Sequence, residues 1–181
     1  MRKLEIEELG RMNTEEYRCS SKIPVCVILD DVRSVYNVGS VFRTSDSFRI
    51  ENIVLCGITA TPDDCLVEIH KTALGAENTV DWYYEKDVMS AVEKYRHNGY
   101  KIVAVEQVEG STMLDSFTFK SDSRYALIFG NEVKGVNNNV VNICDMALEI
   151  PQFGTKHSLN FSVSAGIVLW EAARQLVGNF V

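Results

Sequence analysis

The sequence predicts an α/β protein with a mostly parallel sheet that is flanked by helices. Short, almost continuously apolar runs such as residues 25–29 and 125–129 are typical of strands that are buried on both faces. Segments with apolar residues at helical spacing separate these runs, and such alternation favours a parallel sheet. The length of 181 residues suits one domain. We therefore expect an N-terminal arm over residues 1–22 and a single domain over residues 23–181.

The strands are predicted from short β-branched runs that are bounded by polar or turn-forming residues. The first run, Val25–Asp31, ends in two carboxylates, and the third, Val80–Tyr84, is brief and resembles an edge strand. The Ser/Thr-rich segment 109–123 is expected to be a loop with one turn of helix. In chain order, the predicted strands are residues 25–31, 52–57, 80–84, 101–106, 125–129 and 146–151.

The helices are predicted from apolar residues at helical spacing and from residues that begin or end helices. Pro62 indicates a helix start, whereas Asp87 is a helix cap and Asn98-Gly99 ends the helix that Asp87 begins. The charged arm has only a weak helical pattern, so we expect a short helix or an extended arm there. In chain order, the predicted helices are residues 37–48, 66–74, 88–97 and 159–177.

Composition and charge limit the classes of function. The apolar runs are far too short to span a bilayer, and the N-terminus lacks the apolar segment of a signal peptide, so we expect a cytoplasmic protein that does not bind membranes. A net charge of −7 argues against non-specific binding of nucleic acid. Nucleic-acid binding would have to depend on local basic clusters. These are Arg33, Arg43 and Arg49 in one stretch, and Lys156 with His157 in another.

The cysteines and histidines indicate neither disulfides nor a metal site. Five cysteines occur without a C-x-x-C pair, and Cys26, Cys56 and Cys144 stand among apolar neighbours. Buried, reduced thiols explain this pattern better than a disulfide framework. The three histidines have no metal-ligand spacing, so we expect no bound metal.

Three segments place polar residues and glycines directly after a predicted strand, where open parallel sheets bind ligands. They are N-V-G-S-V-F-R at 37–43, F-G-N-E-V-K-G at 129–135 and I-P-Q-F-G-T-K-H-S-L-N at 150–160. Each one alone also fits a plain structural role, namely a helix capped by Asn37, a glycine turn, and a helix capped by Ser158. A phosphate-binding P-loop is excluded because Val136-Asn137 follows Gly135 where that motif needs Lys and Ser or Thr.

Taken together in this order, the three segments resemble the SpoU/TrmH branch of the SPOUT methyltransferases. The K-T-A-L-G-A segment at 71–76 is part of the same resemblance, which covers roughly residues 24–176. It implies a sheet with a trefoil knot near the C-terminus, where the glycines at 130–135 and the small residues at 162–166 would allow close crossings. It also implies S-adenosylmethionine as the cofactor. By position, the residues that would hold the cofactor are Phe129, Gly130, Asn131, Ile150, Gln152, Ser158 and Leu159.

The reaction implied by the resemblance is methylation of a ribose 2′-hydroxyl in RNA. The residue that matches the family's catalytic arginine is Arg43, either as a base or as the group that stabilises the developing alkoxide. Because arginine stays protonated, we favour stabilisation of the oxyanion. Four further residues would complete the catalytic site: Asn37 and Glu132, which would orient Arg43 or loop backbone, and Ser158 and Asn160, which would bind ribose or phosphate.

The partners implied are a structured RNA, with tRNA favoured over rRNA, and a second copy of the chain in a two-fold homodimer. Trp170 is a candidate for that interface, and a place in the chain's own core is the alternative. Three competing functions remain open: a non-catalytic RNA-binding or ribosome-assembly factor with this fold, a nucleotide-dependent α/β enzyme, and methylation of a guanine base.

Overall fold

The protein is described here by a computed structural model that covers residues 1–177. Residues 178–181, which belong to the predicted domain, lie outside the described residues. The strands are β1 Ile23–Asp30, β2 Ile50–Cys56, β3 Trp82–Glu85, β4 Tyr100–Val105, β5 Thr112–Met113, β6 Arg124–Phe129 and β7 Met146–Glu149. The helices are α1 Thr14–Cys19, α2 Val35–Ser47, α3 Pro62–Ala73, α4 Val88–His97, α5 Asn138–Val141 and α6 Phe161–Leu176.

The seven strands form one sheet in the order β3-β2-β1-β6-β4-β7-β5, and all paired strands run parallel. Alternate residues of β1 face opposite sides of this sheet. Val25, Val27 and Leu29 belong to the core that includes α2 and α6, whereas Cys26 and Ile28 belong to the core beneath α4. All five are fully buried. The predicted α/β class with a sheet covered on both faces is therefore confirmed.

The six predicted strands and four predicted helices all occur, and three short elements were not predicted: a 3₁₀ turn at Ala76–Asn78, the strand β5 and the helix α5. The segment 109–123, predicted as a loop with one helical turn, contains that turn at Leu114–Ser116 and also the edge strand β5. The strand is only two residues long and pairs with β7, so it has no periodicity to detect. The helix α5 is only four residues long, too short for a helical pattern.

Two helix caps differ from those considered in the sequence. Ser34 caps α2, because its Oγ accepts the N–H of Asn37, and Asn37 lies inside the helix. Asn160 caps α6, because its Oδ1 accepts the N–H groups of Ser162 and Val163, so Ser158 is not the cap. As a result, the side chains of Asn37 and Ser158 are not used as helix caps.

The N-terminal arm contains a 3₁₀ turn at Ile6–Leu9 and the helix α1. Asn13 and Glu16 form a capping box at the start of α1, which explains why a helix occurs where the apolar pattern is weak. Tyr17 is 6% exposed and packs into the core of the domain, while Arg18 donates to the carbonyl of Asn78. The boundary at residue 22 remains a prediction.

Glycine explains a close helix contact within the first motif. A Cβ on Gly39 would lie 2.2 Å from Oγ1 of Thr72 and 2.4 Å from the carbonyl oxygen of Ile69, so only glycine lets α2 approach α3 this closely. The predicted close crossing at 162–166 is wrong for Gly166, where an added Cβ would meet nothing within 4 Å. Ala165 beside it is buried, and the knot itself remains a prediction.

All five cysteines are free, and Cys26 and Cys56 are fully buried as predicted. Burial raises the pKa of both thiols, which keeps them protonated and unreactive. Cys144 is only half-buried, since it lies in the turn that follows α5. Among the described residues, no helix is long and apolar enough to cross a membrane.

Candidate active site

The carboxyl ends of β4, β6 and β7 meet at one edge of the sheet around a cavity of about 420 Å³. The segments that follow these three strands form its walls, and the start of α6 closes one side. Every residue predicted to hold a cofactor lines this cavity: Phe129, Gly130, Asn131, Ile150, Gln152, Ser158 and Leu159. The parallel topology thus brings together two motifs that are separated by strand β7 in the sequence.

A second recess of about 570 Å³ lies beside the cavity, and the two share Glu132, Val133, Leu159 and Phe161. The recess is also lined by Arg33, Ser34, Asn37 and Asn160. Of the predicted catalytic residues, Asn37, Glu132 and Asn160 therefore meet in the recess, whereas Ser158 faces the cavity.

Glu132 joins the segment after β6 to the start of α2. Its carboxylate accepts hydrogen bonds from the backbone N–H groups of Arg33 and Ser34 at 3.0 and 2.9 Å, and from Nδ2 of Asn37 at 3.0 Å. Partial burial opposes the charge of Glu132, but these donors outweigh it and hold its pKa below the ordinary value. The carboxylate is therefore ionised and serves as a structural clamp.

The loop between Asn131 and Gly135 is closed by a hydrogen bond of 2.8 Å from the N–H of Gly135 to the carbonyl of Asn131, and the Asn131 side chain also ties it to the end of β1. The side chain of Asn131 donates to the carbonyl of Asp31 at 2.8 Å and accepts the N–H groups of Val133 and Lys134 at 3.0 and 3.1 Å. A Cβ on Gly130 would lie 2.2 Å from the carbonyl oxygen of Gly135, so backbone meets backbone there. This contact explains why the second motif needs glycine at its start.

Two polar side chains of the third motif, Asn160 and Ser158, differ in their hydrogen bonding. Oδ1 of Asn160 is occupied as the cap of α6, so only its Nδ2 is free to donate to a ligand. Ser158 is exposed, and its hydroxyl has no hydrogen-bond partner within residues 1–177. The segment therefore presents one free hydroxyl and one free amide beside the cavity.

Arg43 lies apart from the other predicted catalytic residues. It is exposed on α2 and lines neither the cavity nor the recess. Six residues separate it from Asn37, which turns it to a different side of the helix. The side chain of Asn37 donates to Glu132, and Glu132 accepts backbone N–H groups from the segment before α2. Neither side chain is hydrogen-bonded to Arg43 within residues 1–177, and their roles in catalysis remain predictions. The guanidinium has no ion-pair partner among the described residues.

Two residues at the end of β4, Glu106 and Gln107, also line the cavity and were missed by sequence reasoning. They belong to no motif, and the only available signal was their place at the end of a predicted strand at the same sheet edge. Glu106 also adds a carboxylate to the lining of the cavity. The charged side chains around it are the carboxylates of Glu106, Glu132 and Glu149 and the ammonium of Lys134.

Residues 1–177 contain no group of three or more His, Cys, Asp or Glu side chains that could hold a metal ion. His157 belongs to the segment before α6, and its backbone carbonyl accepts a hydrogen bond from Nε2 of Gln107.

Comparison with known proteins identifies the family of the chain. The sequence model that describes the SpoU rRNA Methylase family matches residues 24–170. The 23S rRNA (guanosine-2′-O-)-methyltransferase RlmB of Neisseria meningitidis serogroup B is 30% identical over 162 residues, which cover 87% of this chain and 61% of that protein. The RlmB of Nitrosomonas europaea is 31% identical over 154 residues, which cover 82% of this chain and 55% of that protein. The chain thus spans less than two thirds of these relatives.

Solved structures give the same result for the fold. The A. aeolicus TrmH/SpoU tRNA modifying enzyme superposes with a TM-score of 0.77 at 25% identity, over 90% of this chain and 80% of that one. The AdoMet-bound rRNA methyltransferase from Sinorhizobium meliloti superposes with a TM-score of 0.76 at 27% identity, over 86% of this chain and 61% of that one.

Proposed function

The chain belongs to the SpoU rRNA methylase family, and we propose that it transfers a methyl group from S-adenosylmethionine to a ribose 2′-hydroxyl of a structured RNA. The observation that carries this proposal is the cavity at the sheet edge, whose lining includes all seven residues expected to hold the cofactor. Two relatives bear names of guanosine-2′-O-methyltransferases, and one structural neighbour is described with AdoMet bound. These names favour the ribose oxygen over a base atom as the methyl acceptor.

The charge and the walls of the cavity fit S-adenosylmethionine better than a nucleotide. The cofactor carries a sulfonium and an ammonium against one carboxylate, so it is a net cation. Three carboxylates and one ammonium surround the cavity and would attract a cation and repel a phosphate chain. Phe129, Ile150 and Leu159 supply apolar surface for an adenine ring. This arrangement disfavours the nucleotide-dependent enzyme considered above.

The protein's task in this reaction is orientation and charge stabilisation, since the bound cofactor would supply an already activated methyl group. A ribose hydroxyl must lose its proton as it attacks, and the developing oxyanion needs a positive partner. The methyl group would move from sulfur to this oxygen as the S–C bond breaks, and the hydroxyl proton would pass to a neighbouring phosphate of the RNA or to solvent. A guanidinium that stays protonated would stabilise the oxyanion without taking that proton. We assign this role to Arg43, and we assign the binding of ribose or phosphate to Ser158 and to Nδ2 of Asn160.

Arg43 would act in the site of a second subunit. Its guanidinium is exposed and lines neither the cavity nor the recess of its own chain, so a partner's cavity is the site it can complete. The exposed apolar side chains of Val163, Ile167 and Trp170 follow one another on α6 with the spacing of a single helix face. Trp170 is 54% exposed and packs at a tilted angle against the ring of Phe48, so it is not core, and this face is our candidate for a two-fold interface.

The RNA would be held by local cations, because the chain as a whole is acidic. Arg33 lines the recess, and Arg43 and Lys71 are exposed on neighbouring helices. None of the three forms an ion pair within residues 1–177, so their charges are available to phosphates. We propose tRNA before rRNA as the substrate, because a compact RNA can be gripped by the surface of a small dimer, and the cytoplasm as the location, because the five thiols are free.

Calorimetry and methyl transfer together test the proposal. The purified chain should bind S-adenosylmethionine in an isothermal titration and should transfer tritium from labelled cofactor to unmodified tRNA. Labelling of rRNA alone would correct the substrate and keep the reaction. RNA binding without cofactor binding or transfer would instead identify a non-catalytic RNA-binding factor.

A further inference from the structure

Glu106 and Gln107 connect the end of β4 to both of the other segments that form the cavity. Oε2 of Glu106 accepts the backbone N–H of Val136 at 2.8 Å, and Oε1 accepts the N–H of Gln107 at 2.9 Å. Nε2 of Gln107 donates to the carbonyl of His157 at 3.0 Å. Two adjacent residues therefore contact the segment after β6 and the segment after β7.

The contact of Glu106 with the segment after β6 depends on glycine. A Cβ on Gly135 would lie 2.1 Å from Oε2 of Glu106, so only glycine leaves room for the carboxylate. Gly135 also has a φ of +67°, which favours glycine independently. The second motif thus ends in a residue whose missing side chain makes space for Glu106.

The contact of Gln107 matters because the segment after β7 has few other supports. Residues 153–159 are exposed, and Phe153 is 97% exposed. Within residues 1–177, the bond between Gln107 and His157 is the only hydrogen bond that joins the segment 152–159 to another part of the chain. Three residues of this segment, Gln152, Ser158 and Leu159, line the cavity.

We propose that Glu106 and Gln107 are positioning residues that hold the two cofactor-binding segments in place before S-adenosylmethionine enters the cavity. The proposal rests on the proposed function only for the identity of the ligand. A loop that is already held in its binding conformation loses less entropy when a ligand binds, so the affinity is higher. Glu106 holds the segment after β6, and Gln107 holds the segment after β7.

Matched variants at position 106 separate the effect of side-chain length from the effect of side-chain charge. Glu106→Gln keeps the length and an oxygen for the N–H of Val136, whereas Glu106→Asp keeps the charge but is one methylene too short. In calorimetry, we expect the Asp and Ala variants to bind S-adenosylmethionine at least about tenfold more weakly and the Gln variant to stay within about threefold of the wild type. Glu109→Ala, at an exposed residue outside the cavity, is the control and should bind normally.

A matched variant also tests Gln107. Gln107→Glu keeps the length of the side chain but cannot donate to the carbonyl of His157. We expect at least about tenfold weaker cofactor binding. We also expect faster trypsin cleavage after Lys156 in the cofactor-free protein, while cleavage after the exposed Lys86 stays unchanged.

The cofactor-free protein gives a readout for Glu106 as well. The amide of Val136 should exchange with deuterium at least about tenfold faster in Glu106→Asp than in the wild type, and at nearly the wild-type rate in Glu106→Gln. Thermal unfolding of all variants establishes that each is folded before these rates are compared.

The outcomes are distinguishable. Normal cofactor binding by the Asp, Ala and Gln107→Glu variants would overturn the proposal. Weak binding by Glu106→Gln with normal binding by Glu106→Asp would also overturn it, because charge rather than reach would then matter. If the wild type binds no S-adenosylmethionine, the proposed function fails, and amide exchange and trypsin cleavage still decide whether these residues hold the segments.

Discussion

Nδ2 of Asn37 donates a hydrogen bond of 3.0 Å to Oε1 of Glu132, although 95 residues separate them in the chain. The same carboxylate accepts the N–H groups of Arg33 and Ser34, so it fixes the start of α2 against the segment after β6. The two motifs that these residues represent thus meet at the boundary between the cavity and the recess.

Removal of this carboxylate should lower the stability of the folded chain. Glu132→Ala leaves three donors without their acceptor, and hydrogen bonds to charged groups are worth about 1.5–3 kcal/mol each when buried. Because Glu132 is half-buried and water can replace part of the loss, we expect a decrease of about 2 kcal/mol in the free energy of unfolding. Urea denaturation measures it, and an unchanged midpoint would contradict the clamp. Glu132→Gln, which keeps one acceptor, should fall between.

Gly130→Ala should abolish cofactor binding without unfolding the chain. The new Cβ would meet the backbone of Gly135 at 2.2 Å, so the loop that lines the cavity must shift. We expect S-adenosylmethionine affinity to fall by at least about 100-fold in calorimetry, since backbone cannot yield as a flexible side chain can. Affinity within a factor of three of the wild type would show that the loop does not contact the cofactor.

Arg43→Ala should stop methyl transfer and leave cofactor affinity near normal. The guanidinium lines neither the cavity nor the recess of its own chain, so its loss should not disturb them. We expect at least about a 100-fold decrease in turnover, the size of effect seen when one oxyanion donor is removed. Lys86→Ala removes an exposed positive charge elsewhere and serves as the control. Equal loss of cofactor binding and transfer would instead indicate a structural role.

Mixing two inactive variants tests whether Arg43 acts in the partner's site. A 1:1 mixture of Arg43→Ala and Gly130→Ala that is unfolded and refolded together should contain about half heterodimers, each with one complete site. Such a mixture should recover about a quarter of the wild-type activity. No recovery, with heterodimers present by native mass spectrometry, would place Arg43 in its own chain's site.

A charge on the exposed face of α6 should separate the dimer. Ile167 is 37% exposed between Val163 and Trp170, which are 49% and 54% exposed. Ile167→Asp would bury an unpaired carboxylate in the proposed interface, so sedimentation should show monomers. Val67→Asp is the control, because Val67 is 66% exposed and lies on a different helix, α3. A dimer that survives Ile167→Asp would move the interface elsewhere.

Asp30 should make stability depend on pH. Burial raises its pKa to about 6, and the neighbouring Asp31 and Asp87 add to this effect. The folded state thus holds the proton more tightly than the unfolded state, where the pKa is about 3.9. The stabilisation is complete below pH 3.9 or so and is lost as the pH rises through 6. Asp30→Asn should therefore gain on the order of 1 kcal/mol over the wild type at pH 8 but not at pH 4, by urea denaturation. An equal difference at both pH values would contradict this.

The strands and long helices could be predicted because burial on two faces leaves a simple pattern. The runs at 25–29 and 125–129 are buried along their length, and nothing competes with that signal. The strand Thr112–Met113 could not be predicted because it is set by its pairing with β7. The helix Asn138–Val141 could not be predicted because four residues are too few for a helical pattern.

The residues of the candidate site that belong to the three sequence motifs could be predicted, and those outside the motifs could not. Phe129 and Ile150 were assigned from the resemblance and line the cavity. Glu106 and Gln107 were missed because their importance comes from hydrogen bonds to residues 30 and 50 positions away, which no local pattern records. The position of Arg43 outside the cavity could not be predicted either, because a sequence motif does not indicate which subunit's site a side chain enters.

Mass spectrometry of nucleosides tests the central claim most directly. Unmodified tRNA and rRNA are incubated separately with the purified chain and S-adenosylmethionine that carries a trideuteromethyl group, and each RNA is then digested to nucleosides. We predict a labelled 2′-O-methylribonucleoside that is absent with Arg43→Ala. Label on a base, or no label in either tRNA or rRNA, would contradict the proposed reaction.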